Sequence, residues 1–430
     1  MEDRQRRIIS LTRGWIRLSP RPTSWTTALL VVLLIAFLIG LGMANARFTE
    51  SAQDANEFLP RWEGAHAWLA QGLSPYDPQV SLSVQRRLYG REAVPEQGED
   101  LGLVVLPLPS MFPYIPWGLL DYPAARAGWM TLLEVMLVVA GMLTLRLASW
   151  RPPAMLLALL VAFGVAWSPG IRSIVAGHTA ILALASSLAA LACIERGWDV
   201  AVGILLATAM VDPIVGLIVF VAGVVWAASR RRWRIVGAAL VTAGVLVAVP
   251  LLLIPGWPLA WLQQIATAIQ VQREFSMGWG LLSQGASRAS AILASLLVLA
   301  AAWVLWTCLG KGTRWLVWSV ASLLVLGTWL TILVIEASYS IYLLPAVLLV
   351  LASAAQRIRK AGNWIAAVAV LVLGLGSWAL YLSASPETGG GIVGASIGPA
   401  LACIGLLWVR WWVTRGAEVG RLEFEGPDGA

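Results

Sequence analysis

Three ionisable residues follow the first long apolar segment at spacings that bring side chains together on a helix. Asp54, Glu57 and Arg61 are separated by three and by four residues, and residues at these intervals are neighbours on a helical surface. An acid in such a group can act as a general base if it lies within hydrogen-bond reach of an acceptor hydroxyl. The alternative is a solvated helix whose acids only favour its first turn. The pattern alone favours this alternative.

The same segment also carries an apolar stripe. Phe58, Trp62, Ala65 and Leu69 recur every three to four residues, which is typical of an amphipathic helix. We expect such a helix to lie along a membrane surface. In that position it would hold Asp54 at the mouth of a bundle of spanning helices.

The composition indicates an integral membrane protein. Of the 430 residues, 59% are hydrophobic and only 12% are charged, whereas soluble domains carry about 25% charged residues. The net charge of +7 comes from arginines in short clusters between apolar segments, which is how topology-setting charges are placed. The excess of basic residues therefore predicts how the protein is oriented in the membrane. It does not indicate a nucleic-acid partner.

The basic clusters predict a topology with both termini in the cytoplasm. Residues 1–24 form a cytoplasmic basic segment, residues 25–415 the transmembrane domain, with residues 44–125 as a large outer loop, and residues 416–430 a cytoplasmic tail. The first apolar segment is long enough for a retained anchor rather than a cleaved signal. About 12 spans are expected, at roughly 26–43, 127–148, 153–167, 177–193, 200–228 as two short helices, 235–254, 289–309, 316–335, 341–355, 364–382 and 392–413.

The two short helices within residues 200–228 are predicted from charge and from a proline. A single crossing would leave the arginine cluster that begins at Arg230 on the outer side, against the positive-inside rule. Asp212 and Pro213 stand in the middle of the segment, and an unpaired acid followed by proline is a poor helix interior. We therefore predict a hairpin that turns at these two residues near the outer face.

Several other polar and aromatic residues have two readings. Glu134 lies inside the second span, where an acid is either functional or paired with a polar group of a neighbouring helix. Tryptophans near the span ends predict an interfacial belt, with sugar stacking as the alternative for one or two of them. The three cysteines fall inside apolar segments and are expected to be buried free thiols. We expect neither a metal site nor a cofactor.

Three motifs in the first outer loop resemble one enzyme family. Asp54 is followed by Ala65–Gly72 with Pro75-Tyr76, and then by a proline-rich apolar segment at 105–116 that cannot form a regular spanning helix. This order resembles the polyprenol-phosphate-mannose-dependent glycosyltransferases of family 87, which have the GT-C fold. Three later segments add to the resemblance, namely Gly177-His178-Thr179, residues 282–288 and residues 336–345.

The resemblance implies an all-α, GT-C-like transmembrane bundle with amphipathic helices in its first outer loop. The implied reaction transfers a sugar, mannose in this family, from a polyprenyl-phosphate donor to a glycan or glycolipid acceptor. It would occur with inversion on the non-cytoplasmic face of the plasma membrane, with Asp54 as the general base. The implied substrate-binding residues are Glu57, Arg61, Tyr76, Arg172, His178, Gln284, Arg288, Tyr339 and Tyr342.

Two departures keep other functions open. The family has Tyr-Pro-Pro where this chain has Leu106-Pro-Leu-Pro109, and Lys-Pro where it has Asp212-Pro213. An acid would repel the lipid phosphate, so another cation would have to stabilise it. Arg172 and Arg288 are the first choices for that cation, followed by Arg61 and Arg273. The alternatives are a transporter or flippase of lipid-linked sugars, or a family member without catalysis.

Overall fold

The computed structural model describes residues 24–51, 56–275, 287–334, 337–358, 361–383 and 390–415. Two predicted site residues, Asp54 and Gln284, lie outside these ranges. The description also leaves out the side chains of Arg273, Arg288 and Tyr339. All regular elements in the described ranges are helices.

The described ranges form seventeen α-helices and four short 3-10 segments. The α-helices are α1 (Ser24–Ser51), α2 (Phe58–Gln71), α3 (Pro78–Tyr89), α4 (Leu108–Met111), α5 (Tyr122–Leu147), α6 (Ala154–Ala166), α7 (Ser168–Ala176), α8 (Ala180–Arg196), α9 (Asp199–Thr208), α10 (Pro213–Ser229), α11 (Trp233–Leu253), α12 (Trp257–Phe275), α13 (Ser287–Cys308), α14 (Thr313–Val334), α15 (Leu344–Arg357), α16 (Gly362–Ser383) and α17 (Gly390–Arg415). The 3-10 segments are Pro95–Gln97, Phe112–Leu119, Ala209–Val211 and Ala337–Leu343.

Every apolar segment predicted as a span coincides with a helix. In the described part of the chain, six helices are long and apolar enough to cross a membrane, namely Val31–Ser51, Tyr122–Leu147, Trp233–Leu253, Thr313–Thr331, Ser340–Arg357 and Gly362–Ser383. Counting α6 and α7 as one span bent by 49° gives up to seven. Four further apolar stretches are shorter over their described residues, namely Asp199–Val211, Pro213–Ser229, Ser295–Cys308 and Ile397–Trp411, and at 1.5 Å per residue a helix needs about 20 residues to cross the hydrocarbon core. The protein is therefore a helical membrane protein.

The predicted hairpin is present. The helix stops at Ala209–Val211, and α10 begins at Pro213. A Cβ built on Gly223 would come within 2.6 Å of Leu206, and one on Gly216 within 2.0 Å of the Ala209 carbonyl oxygen. In a continuous helix, residues 206 and 223 would be about 25 Å apart. The chain therefore folds back on itself at Asp212.

Hydrogen bonds between loops that are distant in the sequence divide the helix ends into two groups, one at each end of the bundle. On the side of the first loop, the Trp261 indole donates to Val105 O (2.9 Å) and Gln264 donates to Tyr76 O (3.0 Å). On the other side, Gln356 donates to Ala148 O at 3.1 Å. Loops predicted to share a side of the membrane are thus in contact with each other. Helix α12, which forms part of the first group, falls in a region predicted to be a loop.

Helix α1 is held to the bundle by an intramembrane polar contact. The Asn45 amide donates to Glu134 Oε2 at 3.1 Å and to Thr131 Oγ1 at 3.0 Å, both on α5. Most of α1 otherwise exposes apolar side chains, as expected for a lipid-facing helix. Glu134 therefore pairs with a polar group of a neighbouring helix, which was one of the two readings of this acid.

Helix α2 is more enclosed than an amphipathic surface helix. The proline-rich segment covers it, with the Trp62 indole donating to Trp117 O (3.1 Å) and His66 Nδ1 lying 2.8 Å from Gly118 O. Gly118 allows this approach, since a Cβ there would lie 2.9 Å from the Ala65 carbonyl carbon. Arg61, expected on a solvated face, is only 4% exposed. As predicted, the proline-rich segment is irregular, and it forms a short helix and a 3-10 turn.

The tryptophans near the predicted span ends differ in exposure. Trp129, Trp150, Trp167 and Trp257 are buried, whereas Trp411 is 51% exposed, so the interfacial belt stays a prediction. The cysteines agree with the prediction, since all three are free and Cys193 and Cys308 are buried.

Candidate functional site

A buried ionic cluster joins the start of α2 to the turn that precedes α8. Glu57 forms an ion pair with Arg61 one helical turn later, and its Oε2 also lies 3.1 Å from His178 Nδ1. The Glu57 side chain is 30% exposed, whereas those of Arg61 and His178 are 5% and 2% exposed. The cluster thus reaches the surface through the carboxylate.

Arg61 is held in place by several partners. Its Nη1 donates to the Tyr114 hydroxyl at 3.0 Å and to Gly177 O at 3.4 Å. Trp129 Nε1 donates to the same carbonyl oxygen at 3.1 Å. The Tyr114 hydroxyl also donates to this oxygen, at 3.4 Å. Donors from three separate parts of the chain therefore meet at the Gly177 carbonyl oxygen, and the guanidinium is fixed in the ionic cluster.

The turn at Gly177 has to be glycine. Its φ of +79° is in the left-handed region, which disfavours residues with a side chain. A Cβ at this position would also lie 2.7 Å from the Cβ of Phe58. The close approach allows Glu57 N to donate to Ala176 O at 3.0 Å, so α2 begins directly against this turn.

Two side chains at the ionic cluster have shifted pKa values. Desolvation by burial would raise the pKa of Glu57, but attraction to His178 and Arg61 and their hydrogen bonds outweigh it and lower the pKa to about 2. Burial raises the pKa of Tyr114 to about 12, although Arg61 opposes that rise. Glu57 is therefore a carboxylate and Tyr114 a neutral phenol near neutral pH.

Asp212, at the tip of the hairpin, is the N-cap of α10. Its Oδ1 accepts hydrogen bonds from the backbone N–H groups of Ile214 (3.2 Å) and Val215 (3.3 Å), and Pro213 at the first helical position suits this arrangement. The side chain is 2% exposed, and the Tyr342 hydroxyl forms a side-chain hydrogen bond with it. Asp212 therefore binds its own helix and Tyr342.

Comparison with known proteins shows the family of this chain. The model of glycosyltransferase family 87 matches residues 105–335, which is more than half of the chain and includes the Gly177 turn and the hairpin. The chain belongs to glycosyltransferase family 87. No curated protein and no solved structure is significantly similar to it.

Membership of family 87 gives the broad activity. The protein is a membrane glycosyltransferase, consistent with its apolar helices. Family 87 enzymes act on a sugar donor and an acceptor, and the bilayer surrounds the helices. Among the described residues, no group of three His, Cys, Asp or Glu side chains is arranged to hold a metal ion.

The structure brings some of the predicted site residues together. Glu57, Arg61 and His178 form the ionic cluster, and Tyr342 contacts Asp212, which in turn interacts with His178. Asp54, predicted to be the general base, and Gln284 lie outside the described residues. For Arg288 and Tyr339, the description covers the backbone only.

Two predicted site residues, Tyr76 and Arg172, make contacts outside the ionic cluster. The Tyr76 hydroxyl donates to Leu106 O at 2.7 Å, and the residue is 5% exposed. Burial also raises the pKa of its phenol, so it stays neutral. The Arg172 guanidinium lies 4.7 Å from the ring centroid of Tyr381, an exposed residue near the end of α16. Tyr76 thus packs the outer loop, whereas Arg172 lies over an aromatic ring.

Sequence reasoning missed three members of the site. Tyr114 was read only as part of the proline-rich segment, Trp129 as an interfacial anchor, and Asp212 as a departure from the family pattern. The signal of Tyr114 and Trp129 was weak because each depends on a contact across at least 48 positions of the chain. The one available clue was the proline after Asp212, which indicates a capped helix start.

Proposed function

We propose that this family 87 protein transfers mannose from a polyprenyl-phosphate donor to a glycan or glycolipid acceptor outside the cytoplasm. In the proposed step, Asp54 takes the proton of the acceptor hydroxyl. The acceptor oxygen then bonds to the anomeric carbon, and the bond from that carbon to the phosphate oxygen breaks. Polyprenyl phosphate leaves, and the configuration at the anomeric carbon is inverted.

The observation that carries the proposal is the ionic cluster, which begins at Glu57, three residues after Asp54 in the sequence. Asp54 precedes Glu57 by three residues, and three residues span at most about 11 Å. Glu57 is docked on the turn of Gly177 and His178 through its backbone and its side chain. Because so few residues separate Asp54 from Glu57, we expect the proposed base to act near this fixed group of charged residues.

The position of Asp212 removes an objection to a phosphate-containing donor. A carboxylate facing the donor would repel the phosphate, but this one is 2% exposed and accepts two backbone hydrogen bonds. The carboxyl group is therefore enclosed by the protein and held by its own helix. The departure from the family's Lys-Pro supports a structural role at the tip of the hairpin and is compatible with catalysis.

The cation for the leaving phosphate is proposed to be Arg172. Developing charge on the phosphate needs such a group, and Arg61 is already paired with Glu57 and 4% exposed. Arg172 is only partly buried, on the short helix α7, on the same side of the bundle as the first loop. Its contact with the ring of Tyr381 holds the guanidinium near the rim.

The membrane arrangement is part of the proposal. We propose a GT-C-like bundle of about 12 spans, in which α6, α8, α9, α10, α13 and α17 cross together with the six helices counted above as spans. Both termini would be cytoplasmic and the ionic cluster would lie on the outer face of the plasma membrane. The sorting of loop contacts into two groups supports this alternation.

The decisive experiment is an assay of Asp54→Asn with purified protein. With polyprenyl-phosphate mannose and an acceptor mixture, we expect release of polyprenyl phosphate to fall about 10²–10⁴-fold. Asp121→Asn is the matched control, since Asp121 is an exposed outer-loop acid with no side-chain cap bond, and it should retain activity.

Three other outcomes would redirect the assignment. Retained turnover in Asp54→Asn would exclude this residue as the base. Turnover only with a different polyprenyl-phosphate sugar would correct the sugar. Movement of the intact lipid-linked sugar across sealed vesicles without a glycosidic product would favour a flippase.

A further inference from the structure

Two basic turns meet at the end of the bundle opposite the first loop. One follows α10 and the other joins α13 to α14. Arg230 donates to Gly310 O at 2.9 Å, and Gly310 N donates to Ser229 Oγ at 3.1 Å. The Trp226 indole donates to Lys311 O at 3.1 Å. Three hydrogen bonds therefore fix these two turns to each other.

The fixed turns present a concentrated positive charge, which we call the basic ledge. It consists of Arg230, Arg231, Arg234, Lys311 and Arg314, all of them exposed. Arg232, in the same turn as Arg230, is neutralised by an ion pair with Asp199 at the start of α9. The ledge thus carries five cations drawn from two separate parts of the chain.

Aromatic side chains border the basic ledge. Trp233 and Trp306 are 64% and 75% exposed, and the ammonium of Lys311 lies 3.9 Å from the ring centroid of Trp315. Exposed tryptophan rings are typical of the head-group level of a bilayer. Cations at this level lie at the height of lipid phosphates, which favours a lipid over a soluble polyanion.

Topology alone does not account for this arrangement. The positive-inside rule depends on how many cations a loop carries, and it requires no fixed distance between two loops. Here, hydrogen bonds through Ser229 and Trp226 hold the cations of one turn against those of the other. Fixed cations of this kind between helix ends suit an anionic head group.

We propose that the basic ledge is a binding site for the head group of an anionic phospholipid, represented in the test by phosphatidylglycerol. The lipid would bridge the turn after α10 and the turn between α13 and α14. The proposal concerns the side of the bundle away from the ionic cluster, so it stands or falls independently of the transferase reaction.

Native mass spectrometry of the purified full chain tests the site. The protein in non-ionic detergent is given equal amounts of phosphatidylglycerol and phosphatidylcholine, and we expect selective retention of the anionic lipid. Arg234→Gln/Lys311→Gln removes one cation from each turn and should lower this preference about 25-fold, at about 5-fold per cation. Arg47→Gln/Arg86→Gln, at two exposed cations outside the ledge, is the matched control and should keep the preference.

A second pair of variants tests the fixed geometry. Ser229→Ala and Trp226→Phe each remove a hydrogen bond between the turns without changing charge, and the selectivity should fall in both. Full selectivity in these variants would show that charge alone attracts the lipid and would overturn a built site. Equal binding of the two lipids by the unmodified protein would overturn the proposal as well.

Discussion

Glu57 Oε2 lies 3.1 Å from Nδ1 of His178 and links the loop that follows α1 to the turn that precedes α8. A backbone bond from Glu57 N to Ala176 O reinforces the same junction. Because the side chain is ion-paired with Arg61 as well, Glu57 is the point at which the outer loop is fastened to the bundle. Four predictions follow from this junction, from the hairpin and from the two groups of loops.

The first prediction concerns the ion pair of Glu57 and Arg61. Arg61→Leu leaves a partly buried carboxylate without its guanidinium partner, and we expect a loss of about 2–4 kcal/mol in the free energy of unfolding. The double variant Glu57→Gln/Arg61→Leu should lose less than the sum of the single variants, since it removes the uncompensated charge. Thermal unfolding in detergent measures both. Additive losses would mean that the pair is not coupled.

The second prediction is a dependence of stability on acid. The folded-state pKa of Glu57 is about 2, below the ordinary value of 4.5. The charged carboxylate therefore stabilises the folded state fully above about pH 4.5, and this contribution is lost as the pH falls from 4.5 towards 2. We expect the unfolding temperature to fall across that window, and Glu57→Gln to reduce the fall.

The control for the acid series is Glu96→Gln at an exposed position of the same loop. It should reproduce the slope of the unmodified protein. An identical slope in Glu57→Gln would show that other carboxyl groups account for the acid sensitivity.

The third prediction separates a capping role of Asp212 from a catalytic one. Asp212→Ala removes the acceptor for Ile214 and Val215 and should cost about 0.5–2 kcal/mol of stability. Asp212→Asn retains the acceptor oxygen and should keep both folding and turnover. Asp212→Lys places an unpaired cation at a buried site and should destabilise the protein more than the alanine does. A stable but inactive Asp212→Asn would contradict the capping role.

The fourth prediction concerns which side of the membrane each group of loops faces. Asp212 is too buried for a labelling test, so exposed positions are needed. In a background lacking the three cysteines, Glu96→Cys should react with an impermeant maleimide added outside intact cells. Lys311→Cys should react only after the membrane is opened. The reverse pattern would invert the topology.

Much of the fold was readable from the order of apolar and charged residues. The hairpin could be predicted because Pro213 interrupts a helix locally and because arginines stand at both ends of the segment. The proline-rich segment was recognised as irregular for the same local reason. Helix α12 was missed because its residues do not form a long apolar segment. It belongs to the group of contacts on the side of the first loop.

By itself, the sequence determined that the protein is a membrane protein, where its long apolar helices lie and which family its motifs resemble, because these depend on composition, period and local breaks. Only the tertiary structure decided that Arg61 is enclosed by Glu57, Tyr114 and Gly177, and that Asp212 is a buried cap. Such contacts depend on which distant segments pack together, and the residue types along the chain do not encode that pairing locally. The spacing of Asp54, Glu57 and Arg61 predicted a shared helical face. The ionic cluster of Glu57 and Arg61 with His178 forms because the loop after α1 packs on the bundle.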